Sequence, residues 1–204
     1  MSRLVLATAN PGKLQEFREL LCHLKVELVS SAELGLREPE ETGLSFIENA
    51  LIKARAACAH SGLPAIADDS GLVISALKGA PGLYSARYAG IPAHAGRNLE
   101  KVLEEMQEVP EGKRAARFVC VAVFMRHALD PEPVIAQGTW QGSILSSPRG
   151  HAGFGYDPIF LEPESGLSAA ELPTERKHAL SHRGQAVRQL REALRRELGV
   201  DTVE

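Results

Sequence analysis

"ARFVCVAVFMRHA", residues 116–128, carries eight consecutive apolar residues from Phe118 to Met125. A strand with one wet face alternates apolar and polar side chains. A continuous run this short, rich in Val and Phe, reads instead as a central strand covered on both faces. Covering both faces takes helices above and below, so this stretch points to a layered α/β fold.

The segments around it supply those layers. "RLVLATANPGKLQEFRELLCHL" (3–24) reads as a buried strand over 3–8, a polar turn and a helix with Leu14, Phe17, Leu20, Leu21 and Leu24 at helical spacing. Asn10 suits the N-cap of that helix and Pro11 its first position. "KVELVS" (25–30) is a second strand, followed by an acidic loop over 30–43. Ser45 and Glu48 then form a capping box for a helix whose buried stripe is Phe46, Ile47, Ala50, Leu51 and Ala54. "LPAIAD" and "SGLVISAL" read as two strands broken at Asp68 and Asp69. Residues 94–108 look helical, "PVIAQGTWQGSIL" (133–145) is a strand in which Gly138 and Gly142 mark bulges or close approach, and residues 168–185 form a polar approach. The last helix, about 184–199, turns Val187, Leu190, Leu194 and Leu198 inward. The order β-α-β-α-β-β-α-β-β-α implies a mixed sheet, and no linker divides residues 1–204, so one domain, at most two-lobed, is expected.

Composition removes several functions. With 23 Lys and Arg against 26 Asp and Glu, a net charge of −3 does not suit a protein that grips nucleic-acid backbones. Cys22, Cys58 and Cys120 have no CxxC spacing, so neither a disulfide framework nor a zinc site is indicated. The Leu4–Ala7 run is too short for a signal-peptide core, and no stretch approaches the roughly 18 apolar residues of a membrane span. A cytoplasmic protein with no membrane and no nucleic-acid partner is expected.

Three stretches carry chemistry. "TANPGK" (Thr8, Ala9, Asn10, Pro11, Gly12, Lys13) joins a strand to a helix N-terminus, where free amides, the helix dipole and Lys13 make an anion site. It has neither Walker A nor dinucleotide-fold spacing, and Asn10 as a plain cap with a solvated Lys13 is the competing account. Asp68 and Asp69, with Glu40 and Glu41, offer hard oxygen donors from two segments to a cation such as Mg²⁺; a turn at a strand end plus a solvated acidic loop is the alternative. "FGYD" (Phe154, Gly155, Tyr156, Asp157) with Lys177, Ser181, His182 and Arg183 could stack and read a base, or could be a turn and a basic helix start. Lysine and arginine at a helix N-terminus oppose its dipole, which favours a functional reason for them. Arg188, Arg191, Arg195 and Arg196, interleaved with Glu192 and Glu197, read as a solvated face.

"LATANPGK" (6–13, of the form T/S-x-N-x-x-K), "EETGLSFIENALIKA" (40–54), "AIADDSGLVISALKGAPGLYSARYAG" (65–90), "GFGYDPIF" (153–160) and "SHRGQA" (181–186) together resemble the HAM1-like inosine triphosphate pyrophosphatase family, in its bacterial dITP/XTP branch. The resemblance spans nearly the whole chain. It implies a long mixed central sheet with helices on both faces and two lobes enclosing a nucleotide cleft, in a homodimer. It also implies Mg²⁺-dependent hydrolysis of XTP, ITP and dITP to monophosphate and pyrophosphate. On that resemblance Thr8 to Lys13 and Lys53 hold phosphates, and Glu40 and Asp69 hold Mg²⁺, with Glu41 the neighbouring alternative. Asp69 accepts the proton, Asp68 supports the site, Ser70 touches substrate, Phe154 stacks on the base within the Phe154–Asp157 loop, and Asp157, Lys177, His182 and Arg183 surround the base edge. A Maf-type pyrophosphatase for other modified nucleotides, a phosphomonoesterase and a non-catalytic nucleotide-binding regulator are the rival functions; "SHRGQA" and "GFGYDP" count against the first.

Overall fold

The computed structural model describes residues 2–199. The six strands form one mixed sheet in the order β2-β1-β3-β4-β5-β6, where β1 is Ser2–Ala7, β2 Val26–Ser30, β3 Ala65–Ile74, β4 Ala115–Met125, β5 Val134–Ile144 and β6 Phe160–Leu161. β1 pairs in parallel with both β2 and β3, and β5 pairs antiparallel with β6. The helices are α1 Pro11–Leu21, α2 Phe46–Ser61, α3 Ala95–Glu105, α4 Thr174–Leu180 and α5 His182–Leu198. β4 lies inside the sheet, and its residues are buried without interruption from Cys120 to Met125, as the apolar run requires.

The chain divides into two compact units, one formed by residues up to 69, 120–138 and from 183 onward, the other by 70–119 and 139–182. In the first unit the sheet is covered on both faces. Leu4, Leu6, Ile66, Cys120, Ala122 and Phe124 pack with Phe17 and Leu21 of α1 and with Val187, Leu190 and Leu194 of α5. The alternate residues Val5, Ala7, Ala65, Ala67, Val121 and Val123 pack with Ala50, Ala54 and Ala57 of α2. Even-numbered positions of β1, β3 and β4 thus face α1 and α5, and odd-numbered positions face α2, the two-residue period of a pleated strand. In the second unit Leu72, Ile74, Phe118, Trp140 and Phe160 pack with Val102 and Met106.

Local signals act as their chemistry dictates. The Asn10 side chain accepts the Lys13 amide at 3.1 Å, with Pro11 opening α1. The Ser45 hydroxyl accepts the Glu48 amide at 3.3 Å, while the Glu48 carboxylate reaches back to the Leu44 amide at 2.8 Å. At Gly142 a Cβ would lie 2.4 Å from the Leu161 carbonyl, so the glycine marks close approach of β5 to β6.

Three expectations change. β3 is not broken at the aspartates but runs through them, because each carboxylate meets a cation on its own face of the sheet. α4 takes seven residues out of the polar approach, and α5 starts at His182 rather than about 184. No helix among the described residues is long and apolar enough to cross a membrane.

Of the three free cysteines, Cys22 is exposed while Cys58 and Cys120 are buried. Burial pushes the Cys58 thiol up to about 11, and burial together with the nearby Asp68 charge pushes Cys120 up to about 12. At pH 8 an aromatic disulfide reagent will therefore titrate one thiol per chain in the native protein and two more only in denaturant; three fast thiols would contradict this packing.

Candidate active site

In the first unit the strand-to-helix turn after β1 and the acidic pair of β3 come together through lysines. Thr8 is buried, its hydroxyl accepting the Asn10 amide at 3.1 Å. Lys13, on the first turn of α1, places its ammonium 2.9 Å from Asp68 Oδ2. Lys53, on the third helical turn along α2, stands 2.9 Å from Asp69 Oδ1 and 3.1 Å from Glu41 Oε1. The Asn49 amide, one turn before Lys53, adds a 3.4 Å bond to Asp69 Oδ2. Asp68 and Asp69 therefore point to opposite faces of the sheet, one toward α1 and α5, the other toward α2. This arrangement explains how neighbouring like charges survive in a strand.

The electrostatics of the two aspartates differ. Burial opposes ionisation of Asp68, but the charges of Lys13, Arg183 and Lys53 overcome it and hold its carboxyl well below the usual range. At Asp69 burial prevails: its carboxyl is raised, with Lys53 offsetting only part of the cost and Glu41 adding a like charge. Lys53 is also buried, yet Asp68, Asp69 and Glu41 together hold its ammonium above the usual range. One ammonium divided among three carboxylates gains from each, while at Asp69 the shared Lys53 and the charge of Lys13 do not outweigh burial.

Glu40 is exposed, whereas Glu41 is half-buried and turned to Lys53. The donor set fits a hard divalent ion. Asp69 and the loop glutamates are oxygen donors, and positive charge already sits between Asp69 and Glu41. Asp69 and Glu41, both within reach of Lys53, are the residues whose oxygens could be shared with such an ion.

Arg183, at the start of α5, is fully buried. Its guanidinium pairs with the Glu16 carboxylate of α1 and lies 3.5 Å from Asp68 Oδ2. Its charge at a helix N-terminus is thus neutralised by carboxylates from elsewhere in the fold. Cys120 Sγ also approaches Asp68 Oδ2, at 3.9 Å. Glu16, Asn49 and Cys120 were not singled out in the sequence. The only available hint was Glu16 sitting three residues after Lys13, on the same face of α1.

The second unit holds the other candidates. The Asp157 carboxylate accepts the Phe154 amide and the Lys177 ammonium, both at 2.8 Å, tying the "FGYD" loop to α4. A Cβ at Gly153 would fall 2.1 Å from Asp157 Oδ2, and the residue has φ of +76°, so only glycine leaves room for this knot. Phe154 is half-buried, with Lys177 Nζ 5.3 Å from its ring centroid. Gly155 takes a positive φ, Tyr156 is buried with its hydroxyl donating to the Ser85 carbonyl at 2.8 Å, and Ser70 is half-buried on β3. His182 stacks on Phe118 with centroids 4.8 Å apart.

Known proteins resemble this chain along nearly its whole length. The Ham1 family pattern matches residues 4–193. A dITP/XTP pyrophosphatase of Yersinia pseudotuberculosis is 57% identical over 195 residues, covering 96% of this chain and 99% of the relative. One of Xanthomonas axonopodis pv. citri is 55% identical over 194 residues, covering 95% and 98%. Among solved structures, a HAM1 protein from Coxiella burnetii superposes with a TM-score of 0.87 at 48% identity, covering 95% of this chain and 98% of its own. The Staphylococcus aureus Ham1 protein gives 0.84 at 37%, covering 96% and 100%. Agreement this extensive, in sequence and in backbone alike, leaves one conclusion: the chain belongs to the Ham1 family.

Proposed function

We propose that this chain hydrolyses noncanonical purine nucleoside triphosphates, XTP, ITP and dITP, to the monophosphate and pyrophosphate, and so cleanses the nucleotide pool. The observation that carries the reading is the lysine–carboxylate set of Lys13, Asp68, Lys53, Asp69 and Glu41, with Asp68, Lys53 and Asp69 buried, beside the turn after β1. It gathers the cations a polyphosphate needs and the carboxylates a metal and a proton need. The names of the relatives support the same activity.

In this reading Thr8 to Lys13 and Lys53 take the phosphates. Asp69 with Glu40 or Glu41 would hold Mg²⁺, which would supply charge neutralisation to the triphosphate and polarise the attacking water. Asp69 takes the proton of that water as its oxygen bonds to the α-phosphorus; the bond from the α-phosphorus to the bridging oxygen breaks, and that oxygen leaves with pyrophosphate. Asp69 suits this task because burial has raised its proton affinity above that of an ordinary aspartate. Lys13 and Lys53 meet the charge that grows on the leaving group. Phe154 stacks on the base, Ser70 touches the substrate, and Asp157, Lys177 and His182 line the base edge. Arg183 joins them at the base edge and also holds Asp68 and Glu16.

A 6-oxo purine accepts hydrogen bonds from such donors, whereas the 6-amino group of adenine sets donor against donor, at roughly 1–3 kcal/mol for each mismatch. The two units act as one pyrophosphatase domain, in a cytoplasmic homodimer, as the family resemblance implies.

The test is incubation with ITP, dITP, XTP, GTP and ATP plus Mg²⁺, with the phosphate product identified. Pyrophosphate from the first three, with ATP turned over on the order of a thousandfold less efficiently, is the expected result. Release of orthophosphate would make the protein a phosphomonoesterase, and binding without cleavage a regulator.

A further inference from the structure

Three candidate phosphate donors of the first unit carry a carboxylate of the chain itself. Lys13 holds Asp68, Lys53 holds Asp69 and Glu41, and the Ala9 amide donates to Glu38 Oε1 at 2.9 Å. The third pairing differs from the other two. Asp68 and Asp69 are buried and need a cation, whereas Glu38 and Ala9 are both exposed, so water could satisfy either group. The turn around Ala9 is otherwise closed on itself. The Asn10 amide goes to Thr8 Oγ1 and the Lys13 amide to Asn10 Oδ1, whereas the Ala9 amide is the one engaged by an acidic side chain of the loop. Glu38 also shares the wall of a pocket with Arg37, Pro39, His60 and Lys53, the last of these assigned to the phosphates.

Resting on the pyrophosphatase reading, we propose that Glu38 is an affinity-limiting residue, an internal anion that competes with substrate and product phosphates for the Ala9 amide. One N–H cannot serve a carboxylate and a phosphate oxygen at full strength, and the two anions repel at that distance. Binding of a triphosphate tail therefore displaces Glu38, and the returning carboxylate helps expel pyrophosphate after cleavage. The acidic loop over 30–43 thereby gains a role apart from its metal candidates. It sets how weakly the site holds small inorganic phosphates, which would otherwise occupy it in place of nucleotide.

The experiment compares wild type with Glu38→Ala and Glu38→Gln, using inorganic pyrophosphate as the probe in calorimetric titration and ITP in steady-state kinetics. Both substitutions should tighten pyrophosphate binding and lower KM for ITP by about three- to tenfold, the scale of one charge-assisted bond at an exposed position, with kcat within about twofold of wild type. Gln, which keeps an acceptor without the charge, should fall between Glu and Ala. Unchanged or weaker pyrophosphate binding in both variants would overturn the proposal and leave Glu38 a tether of its loop. Tighter pyrophosphate binding in a protein that cleaves no nucleotide would uphold the competition while refuting the pyrophosphatase reading.

Discussion

Asp69→Asn should lower kcat on ITP about a thousandfold at saturating Mg²⁺, within the roughly 10²–10⁴ range of a positioned proton acceptor, while the melting temperature at pH 7 holds or rises. Asparagine keeps the size of the side chain and an oxygen for Lys53, but it can neither accept a proton nor carry the charge that holds a metal. The stability half of the prediction follows from linkage. Burial raises the Asp69 carboxyl in the fold, so ionising it costs the native state. That cost is absent in acid, grows as pH rises from the unfolded value near ~4, and is complete above the raised folded value. Removing the charge removes the cost. Activity and stability should move in opposite directions, as at sites that keep a strained group for chemistry. A variant with near wild-type turnover would end the assignment. One that melts far below wild type would show that Asp69 is chiefly a structural partner of Lys53.

Arg183→Met should be the most destabilising single substitution in the first unit. Methionine fills much of the volume but leaves Glu16 without this cation and Asp68 with Lys13 as its nearest one. Breaking a buried pair from one side costs about 3–5 kcal/mol, which for a chain of this size lowers the melting temperature by about 10 °C. The effect should depend on pH in a definite sense. Asp68 is depressed in the fold, so its stabilising contribution is complete above the unfolded carboxylate value of ~3.9 and is lost as pH falls through the lower folded value. The gap between wild type and variant should therefore be widest near pH 7 and narrow below about pH 4. Arg183→Lys, which keeps the charge without the fork, should recover part of the loss. Melting within about 2 °C of wild type across that range would show that the guanidinium is not what holds these carboxylates.

Local chemistry was legible in the sequence, and charge pairing over long range was not. The Asn10 cap, Pro11, the Ser45–Glu48 box and the β4 run are each decided by neighbours within four residues, and each forms as read. The inward stripe of the last helix also stands, with Val187, Leu190 and Leu194 buried and Leu198 partly so. The break expected at Asp68 and Asp69 does not occur, because Lys13, Lys53 and Arg183 neutralise the pair from three different helices, the last of them 115 residues away. Short-range rules count two adjacent aspartates as a turn, and only the folded chain supplies the cations that make them a strand. For the same reason Arg183, grouped by sequence with the base-edge residues, makes ion pairs with Glu16 and Asp68. Of Glu40 and Glu41, it is Glu41 that reaches Lys53, a contact no short-range rule gives.

Side-chain direction along β3 reverses at every residue, so the number of residues leading to its acidic pair is as important as their identity. Deleting one codon among Ala65, Ile66 and Ala67 would carry Asp69 to the place of Asp68 and set Ser70 beside Lys53, leaving the composition of the site intact and its chemistry gone. A frame-preserving deletion there should behave as a null allele, whereas the same loss in the acidic loop before α2 shifts no side chain from one face of the sheet to the other.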